Sequence, residues 1–167
     1  MKPYSSEDSK EHKGSREKPE KSLRRKAMDL LARREHSYYE LLSKLEERFP
    51  DLDRETLITP ALDRLRQENL QSDSRFMESY VRFRRSKGHG PLKIEAELKQ
   101  KGLASTEIRT FLYDEGIDWF EEARVQLLKK AGIHENLDSL DLKLKQKYHR
   151  LLQQRGFDHE HIKSAFK

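Results

Sequence analysis

The sequence predicts an all-α fold: three tandem three-helix repeats forming an elongated, curved molecule. Three observations predict it. First, Ile94, Leu98, Gly102, Leu103, Ile108, Phe111 and Leu112 recur as Tyr148, Leu152, Gly156, Phe157, Ile162, Ala165 and Phe166, at an offset of 54 residues in every case. A looser copy lies upstream, in Leu41, Leu45, Phe49, Ile58, Ala61, Leu62 and Leu65. Repetition on this scale is the signature of stacked helical units. Second, no stretch alternates with period two for long enough to make a strand. Third, the chain is 34% hydrophobic and 39% charged, which suits several thin cores better than one large core.

The elements follow in order. Residues 1–22 are Lys, Glu, Ser and Pro with almost nothing apolar, so they are expected to be a disordered charged tail. Repeat 1 spans 23–71. Leu23, Ala27, Leu30 and Leu31 have helical spacing. Ser37-x-x-Glu40 is a capping box that opens a second helix with Leu41, Leu42, Leu45 and Phe49 inward. Asp53 caps a third helix, burying Leu57, Ile58, Ala61, Leu62 and Leu65, in which Pro60 is expected to bend or shorten the first turn. Asn69 is a candidate left-handed residue at its end.

Repeat 2 spans 72–118. Ser72-Asp73 starts a helix whose apolar face is Phe76, Tyr80 and Phe83, widened by Met77 and Val81, with Arg75, Arg82 and Arg85 opposite. Gly88 ends it, Gly90 caps the next helix and Pro91 suits its first turn. Gly102 closes that helix, and Ser105 or Thr106 begins the third. Repeat 3 spans 119–167. It runs through Phe120, Ala123, Leu127 and Leu128 to Gly132, then a longer connection over 133–140. Leu144, Tyr148, Leu151 and Leu152 follow, and Ile162, Ala165 and Phe166 form a short last helix.

Composition and charge exclude several function classes. With no Cys there is no disulfide, thiolate nucleophile or Cys-based zinc site. No apolar run reaches the length of a membrane span, and the charged N-terminus is unlike a secretory signal. The expectation is a cytoplasmic monomer with no membrane contact. His159 and His161 are two apart, which points them to different sides of a helix, so no metal or other cofactor is expected. Lys87-Gly88-His89-Gly90-Pro91 lacks the spacing of a phosphate-binding loop; a helix end followed by a helix start explains both glycines. The carboxylates fall at helix-surface positions with Lys or Arg nearby, as in Glu40–Lys44 and Glu95–Lys99, and are read as helix electrostatics rather than catalysis. Trp119, Phe120 and Tyr113 are expected to pack at the junction of repeats 2 and 3. No enzyme activity is expected.

The charge is polarised. Residues 75–101 carry 8 basic and 3 acidic side chains, whereas 102–118 carry one Arg against four acids. Such a concentrated basic window is a candidate contact for an anionic partner, with Arg75, Arg82, Arg85, Lys87, Lys93 and Lys101 as its candidate residues. Leu98, Gly102, Leu103, Ile108 and Phe111 approach the spacing of a DNA-reading helix-turn-helix. The would-be recognition helix, however, carries Glu107, Asp114 and Glu115 against Arg109, a poor match for a polyanionic groove.

The stretch from Asp73-Ser-Arg75-Phe76 through Tyr80-Val81-Arg82, Lys87-Gly88-His89-Gly90-Pro91, Ile94, Glu97-Leu98 and Lys101-Gly102-Leu103 resembles the central signature of the RecX family. Leu30 to Ser37, with Glu40-Leu41 and Lys44-Leu45, resembles that family's first repeat. The resemblance covers about residues 23–167; its third repeat matches mainly in periodicity, and Asn69 stands where Gly is expected. It implies a regulator of the RecA recombinase in DNA repair, recombination and the SOS response. Such a regulator would lie in the groove of the RecA filament and limit its growth, ATPase activity and strand exchange. The second candidate partner is single- or double-stranded DNA held through the 75–101 window, with the chain acting as a competitor for single strands.

Overall fold

The computed structural model describes residues 18–114, 116–132, 137 and 140–167. Within them the chain forms nine α-helices and no strand. Three make repeat 1: α1 (Pro19–Leu31), α2 (Tyr38–Arg48) and α3 (Thr59–Gln67). Repeat 2 has α4 (Asp73–Ser86), α5 (Pro91–Gln100) and α6 (Ser105–Asp114). Repeat 3 has α7 (Trp119–Ala131), α8 (Leu142–Gln154) and α9 (His159–Ala165). Helix α1 begins at Pro19, inside the stretch assigned to the tail, because Pro at the first helical position sacrifices no needed N–H. Residues 1–17 of that tail and most of the 133–140 connection lie outside the described residues.

Helix starts are set by short polar side chains. Ser37, Asp53, Ser72, Asp118, Asp141 and Asp158 each accept an amide N–H from three residues on. The Ser37 box is half of the expected one: Ser37 Oγ takes the Glu40 N–H at 3.1 Å, but the Glu40 side chain turns away to Arg34 and Lys101. Ahead of Pro60 the chain makes a single π turn over Arg54–Ile58 before α3 starts. The wider turn accommodates a residue that has no N–H to donate. Asn69 has φ 57°, the left-handed value expected of it.

Among the described residues there are two cores, where the sequence predicts several thin ones. Repeat 1 keeps its own core of Leu23, Ala27, Leu41, Leu42, Leu45, Ile58, Leu62 and Leu65. Repeats 2 and 3 share one core, running from Phe76, Ile94 and Leu98 to Trp119, Leu127, Leu152 and Phe157. Trp119 belongs to it, with its indole N–H donating to the Leu112 carbonyl at 2.7 Å. Phe120 and Tyr113 stay about half exposed, the Phe120 ring meeting His161 edge-on at 4.7 Å. Phe83 is a further correction: it is 53% exposed. The packed stripe of α4 follows the four-residue row Phe76, Tyr80, Arg84, with Met77 and Val81 beside it, so the inward place one turn after Tyr80 goes to Arg84.

Repeat 2 is a bridge. The N-terminal end of α4 meets repeat 1 through Arg75, and its C-terminal end meets repeat 3 through Arg85. Helix α5 runs the other way, with Gly90 on repeat 3 and Lys101, just past its end, on repeat 1. Ten helical residues span about 15 Å, so repeats 1 and 3 sit at opposite ends of this pair. The three units lie in series, and the molecule is elongated.

Candidate interaction surface

The basic window of 75–101 divides sharply once its side chains are placed. Arg75 is a clasp between repeats 1 and 2: Nε donates to Glu35 at 2.8 Å, and the two terminal nitrogens donate to Asn69 Oδ1 at 2.9 Å and the Leu70 carbonyl at 3.1 Å. Its guanidinium has no fork left for a partner. Lys101 closes the same junction, its ammonium 2.6 Å from Glu40 and 5.4 Å from the Tyr80 ring centre. Arg85 does this work between repeats 2 and 3, donating to Glu122 at 2.5 and 3.1 Å and lying over the Trp119 ring.

The other three candidates point outward to different degrees. Arg82 is exposed and, among the described residues, pairs with Glu78 on its own helix, an arrangement that solvent weakens. Lys87 is exposed, its ammonium 5.5 Å from the centre of the exposed Phe83 ring. Lys93 is half-buried beside Gly156 and lines a groove with Leu92, His149 and Gln153. Sequence position therefore grouped two kinds of cation: three that join repeats and three that face solvent.

The carboxylates divide in the same way. Glu95 is buried and pairs with both Lys99 (2.6 Å) and Arg109 (3.1 Å). Glu40 is held by Arg34 and Lys101, not by the expected Lys44. Burial opposes its ionisation, but those two hydrogen bonds and charges prevail and hold its carboxyl down at about 2. Burial pushes the Tyr80 hydroxyl up to about 12, helped by its hydrogen bond to Glu97. Burial also lowers the pKa of His36, His89 and His161. Among the described residues no three His, Asp or Glu converge as metal ligands, and no described helix is long and apolar enough to cross a membrane.

A second basic surface went unrecognised in the sequence. An open cleft of about 610 Å³ between the end of α7 and the side of α8 is lined by Lys130, Lys143, Lys147 and Arg150, with Gln146, Tyr148, Leu151 and Gln154. Among the described residues no carboxylate lines it. Lys143, Lys147 and Arg150 are four and three residues apart, which puts them on one face of α8. A shallower groove on the adjoining side is lined by Lys145, Gln146, His149, Arg150 and Phe166. The signal was present: Leu142–Gln154 has four Lys or Arg and no acid. Summing charge over the whole of 119–167, as 10 basic against 7 acidic, hid it.

Comparisons with known proteins agree with this architecture. Residues 72–112 match the family model described as RecX, second three-helix domain, and residues 117–166 match RecX, third three-helix domain. A regulatory protein RecX from Pseudomonas fluorescens SBW25 is 40% identical over 141 residues, which is 84% of this chain and 87% of that protein. One from Ectopseudomonas mendocina is 52% identical over 104 residues, 62% of this chain and 67% of that protein. The crystal structure of RecX from Lactobacillus salivarius superposes with a TM-score of 0.71 at 22% identity, covering 88% of this chain and 94% of the other. At that identity the likeness speaks for the fold alone.

Proposed function

This chain belongs to the RecX family of regulatory proteins, and we propose that it regulates homologous recombination by binding the RecA nucleoprotein filament and limiting its growth, ATP hydrolysis and strand exchange. The observation that carries the reading is the bridge geometry of repeat 2. With repeat 1 at one end of the α4–α5 pair and repeat 3 at the other, the molecule offers a long surface. A long surface suits a partner that is itself a repeating polymer, because one molecule can engage neighbouring protomers at once.

Within the basic window, Arg82, Lys87 and Lys93 are the residues we assign to the partner, since their charges are not committed to joining repeats. Arg75, Arg85 and Lys101 contribute by holding the repeats in relation to one another. The reading is tested by recombinase ATP hydrolysis on single-stranded DNA at fixed salt, titrated with this protein well below DNA saturation. A progressive fall at substoichiometric amounts is expected. No fall until the DNA itself is covered would replace filament binding with competition for single strands. Arg82→Glu combined with Lys87→Glu is expected to weaken the inhibition with helicity intact; unchanged inhibition would remove these residues from the contact.

A further inference from the structure

The cleft between α7 and α8 is lined by four cations, and none of Lys130, Lys143, Lys147 and Arg150 makes an ion pair or hydrogen bond among the described residues. That is unlike Arg75, Arg85 and Lys101, whose charges are matched inside the molecule. Like charges held together without counter-charges repel, and they persist on a surface where a polyanion offsets them.

The chemistry around the cleft says which polyanion. From Lys143 to Arg150 is about 10 Å along the helix axis, the reach of about three phosphates at 3.4 Å each in a stacked strand. Arg150 borders both the cleft and the groove on the adjoining side, where His149 and Phe166 supply flat rings. Gln146 borders both as well, and Gln154 lies in the cleft; their amides can donate and accept hydrogen bonds. Cations in a row beside rings form the arrangement that holds a single strand, with phosphates on the charges and bases stacked on the rings. An acidic protein segment would match the cations and leave the rings unused. A duplex, whose bases are already stacked inside, would do the same.

We propose that α8 carries a binding track for single-stranded nucleic acid, with the backbone along Lys130, Lys143, Lys147 and Arg150 and bases against His149 and Phe166. This contact goes beyond the filament reading and is measured without recombinase, so either can fail alone.

The test is fluorescence anisotropy of a labelled oligothymidylate titrated with the full chain over a range of salt. The Lys143→Gln, Lys147→Gln, Arg150→Gln triple variant is expected to bind at least tenfold more weakly at low salt. Its plot of log affinity against log salt is expected to be shallower by about 2, from three contacts at about 0.7 each. Phe166→Leu is expected to lower affinity about fivefold with the slope unchanged, which separates stacking from charge. Lys44→Gln, an exposed cation of α2 in repeat 1, is expected to leave both affinity and slope unchanged. Lys130→Gln approaches the same cleft from α7, so its slope, expected to be shallower by about 0.7, decides the matter if the triple variant loses helicity. A triple variant that keeps its helicity and the wild-type slope would overturn the proposal. So would displacement of the oligonucleotide by polyglutamate at equal charge concentration, which would make the face a dock for acidic protein.

Discussion

The two junctions between repeats use the same geometry and different chemistry. At each, the turn closing the second helix of one repeat sits on the start of the second helix of the repeat before it. Ser37, at the start of α2, donates its hydroxyl to the Lys101 carbonyl at 2.8 Å. Gly90, at the start of α5, donates its backbone N–H to the Arg155 carbonyl at 2.7 Å. Lys101 and Arg155 are 54 residues apart, the repeat offset. Around the first contact the junction is polar: Tyr38 N–H to Asp73 at 2.8 Å, Gln71 to Asp73 at 2.9 Å, Arg75 to Glu35 and Lys101 to Glu40. Around the second, a shared hydrophobic core runs beneath the contact. The strength of the first junction therefore depends mainly on pH and salt, whereas the second has the Arg85–Glu122 pair and adds buried apolar area to it. Repeat 1 is expected to unfold as one body, and repeats 2 and 3 together as another, because each group has its own core.

The largest effect should come from the shared core. Leu98→Ala in repeat 2 and Leu152→Ala in repeat 3, both fully buried, are each expected to cost about 2–5 kcal/mol. Each should lower the unfolding of both repeats together in denaturant. Leu62→Ala, just as buried, should cost as much but act on repeat 1 alone. If Leu152→Ala unfolded repeat 3 and spared repeat 2, the two would not be one body.

Acid should act next, and on the polar junction first. A carboxyl whose folded pKa is depressed adds stability above its unfolded pKa and loses it as pH falls through the folded value. For Glu40, with 13% of its side chain exposed, that window runs from 4.5 down to about 2, and the full loss is about 3 kcal/mol. Glu40→Gln should flatten the pH dependence of repeat 1 unfolding over that window. His36, His89 and His161, kept neutral mainly by burial, lose stability from about pH 6.5 downward in both bodies. Only the Glu40 variant isolates the junction.

The glycine turns sharpen the contrast. Gly156 has φ 91°, and a Cβ there would lie 2.6 Å from the Lys93 backbone nitrogen. Gly156→Ala is expected to cost about 1–3 kcal/mol from backbone conformation alone, and more from the clash, because the shared core keeps Lys93 from retreating. Gly102 has φ 83° and faces the Tyr39 side chain of repeat 1, which can move with that body, so Gly102→Ala should cost less. Thermal unfolding of the pair gives the order. The smallest effect is expected at Arg82, whose exposed pair with Glu78 lies within one helix. Arg82→Gln should change stability by less than about 0.5 kcal/mol, which makes it a fair probe of partner contact.

Local features of the fold were legible in the sequence because local chemistry decides them. The caps at Ser37, Asp53 and Ser72, the left-handed Asn69 and the Gly90-Pro91 start all follow from neighbouring residues. What escaped depends on residues far apart in the chain. Arg85 meets Glu122, and Lys101 meets Glu40, across 37 and 61 positions; no spacing rule separates such clasps from free cations like Lys87. Phe83 and Phe120 were placed inward by periodicity, which gives a helix a face but not the length over which a neighbour covers it. The α8 cleft needs Lys130 and Lys143 side by side, and only the folding of α7 against α8 brings them there.

Native-state hydrogen exchange of the full chain across low denaturant tests the two-body account most directly. Amides of α2 and α3 are expected to open with one free energy and denaturant slope, and those of α5, α7 and α8 with a second, larger and common to repeats 2 and 3. Lowering the pH through 4.5 should draw the two values further apart. A single opening shared by all three repeats, or separate openings of repeats 2 and 3, would contradict it.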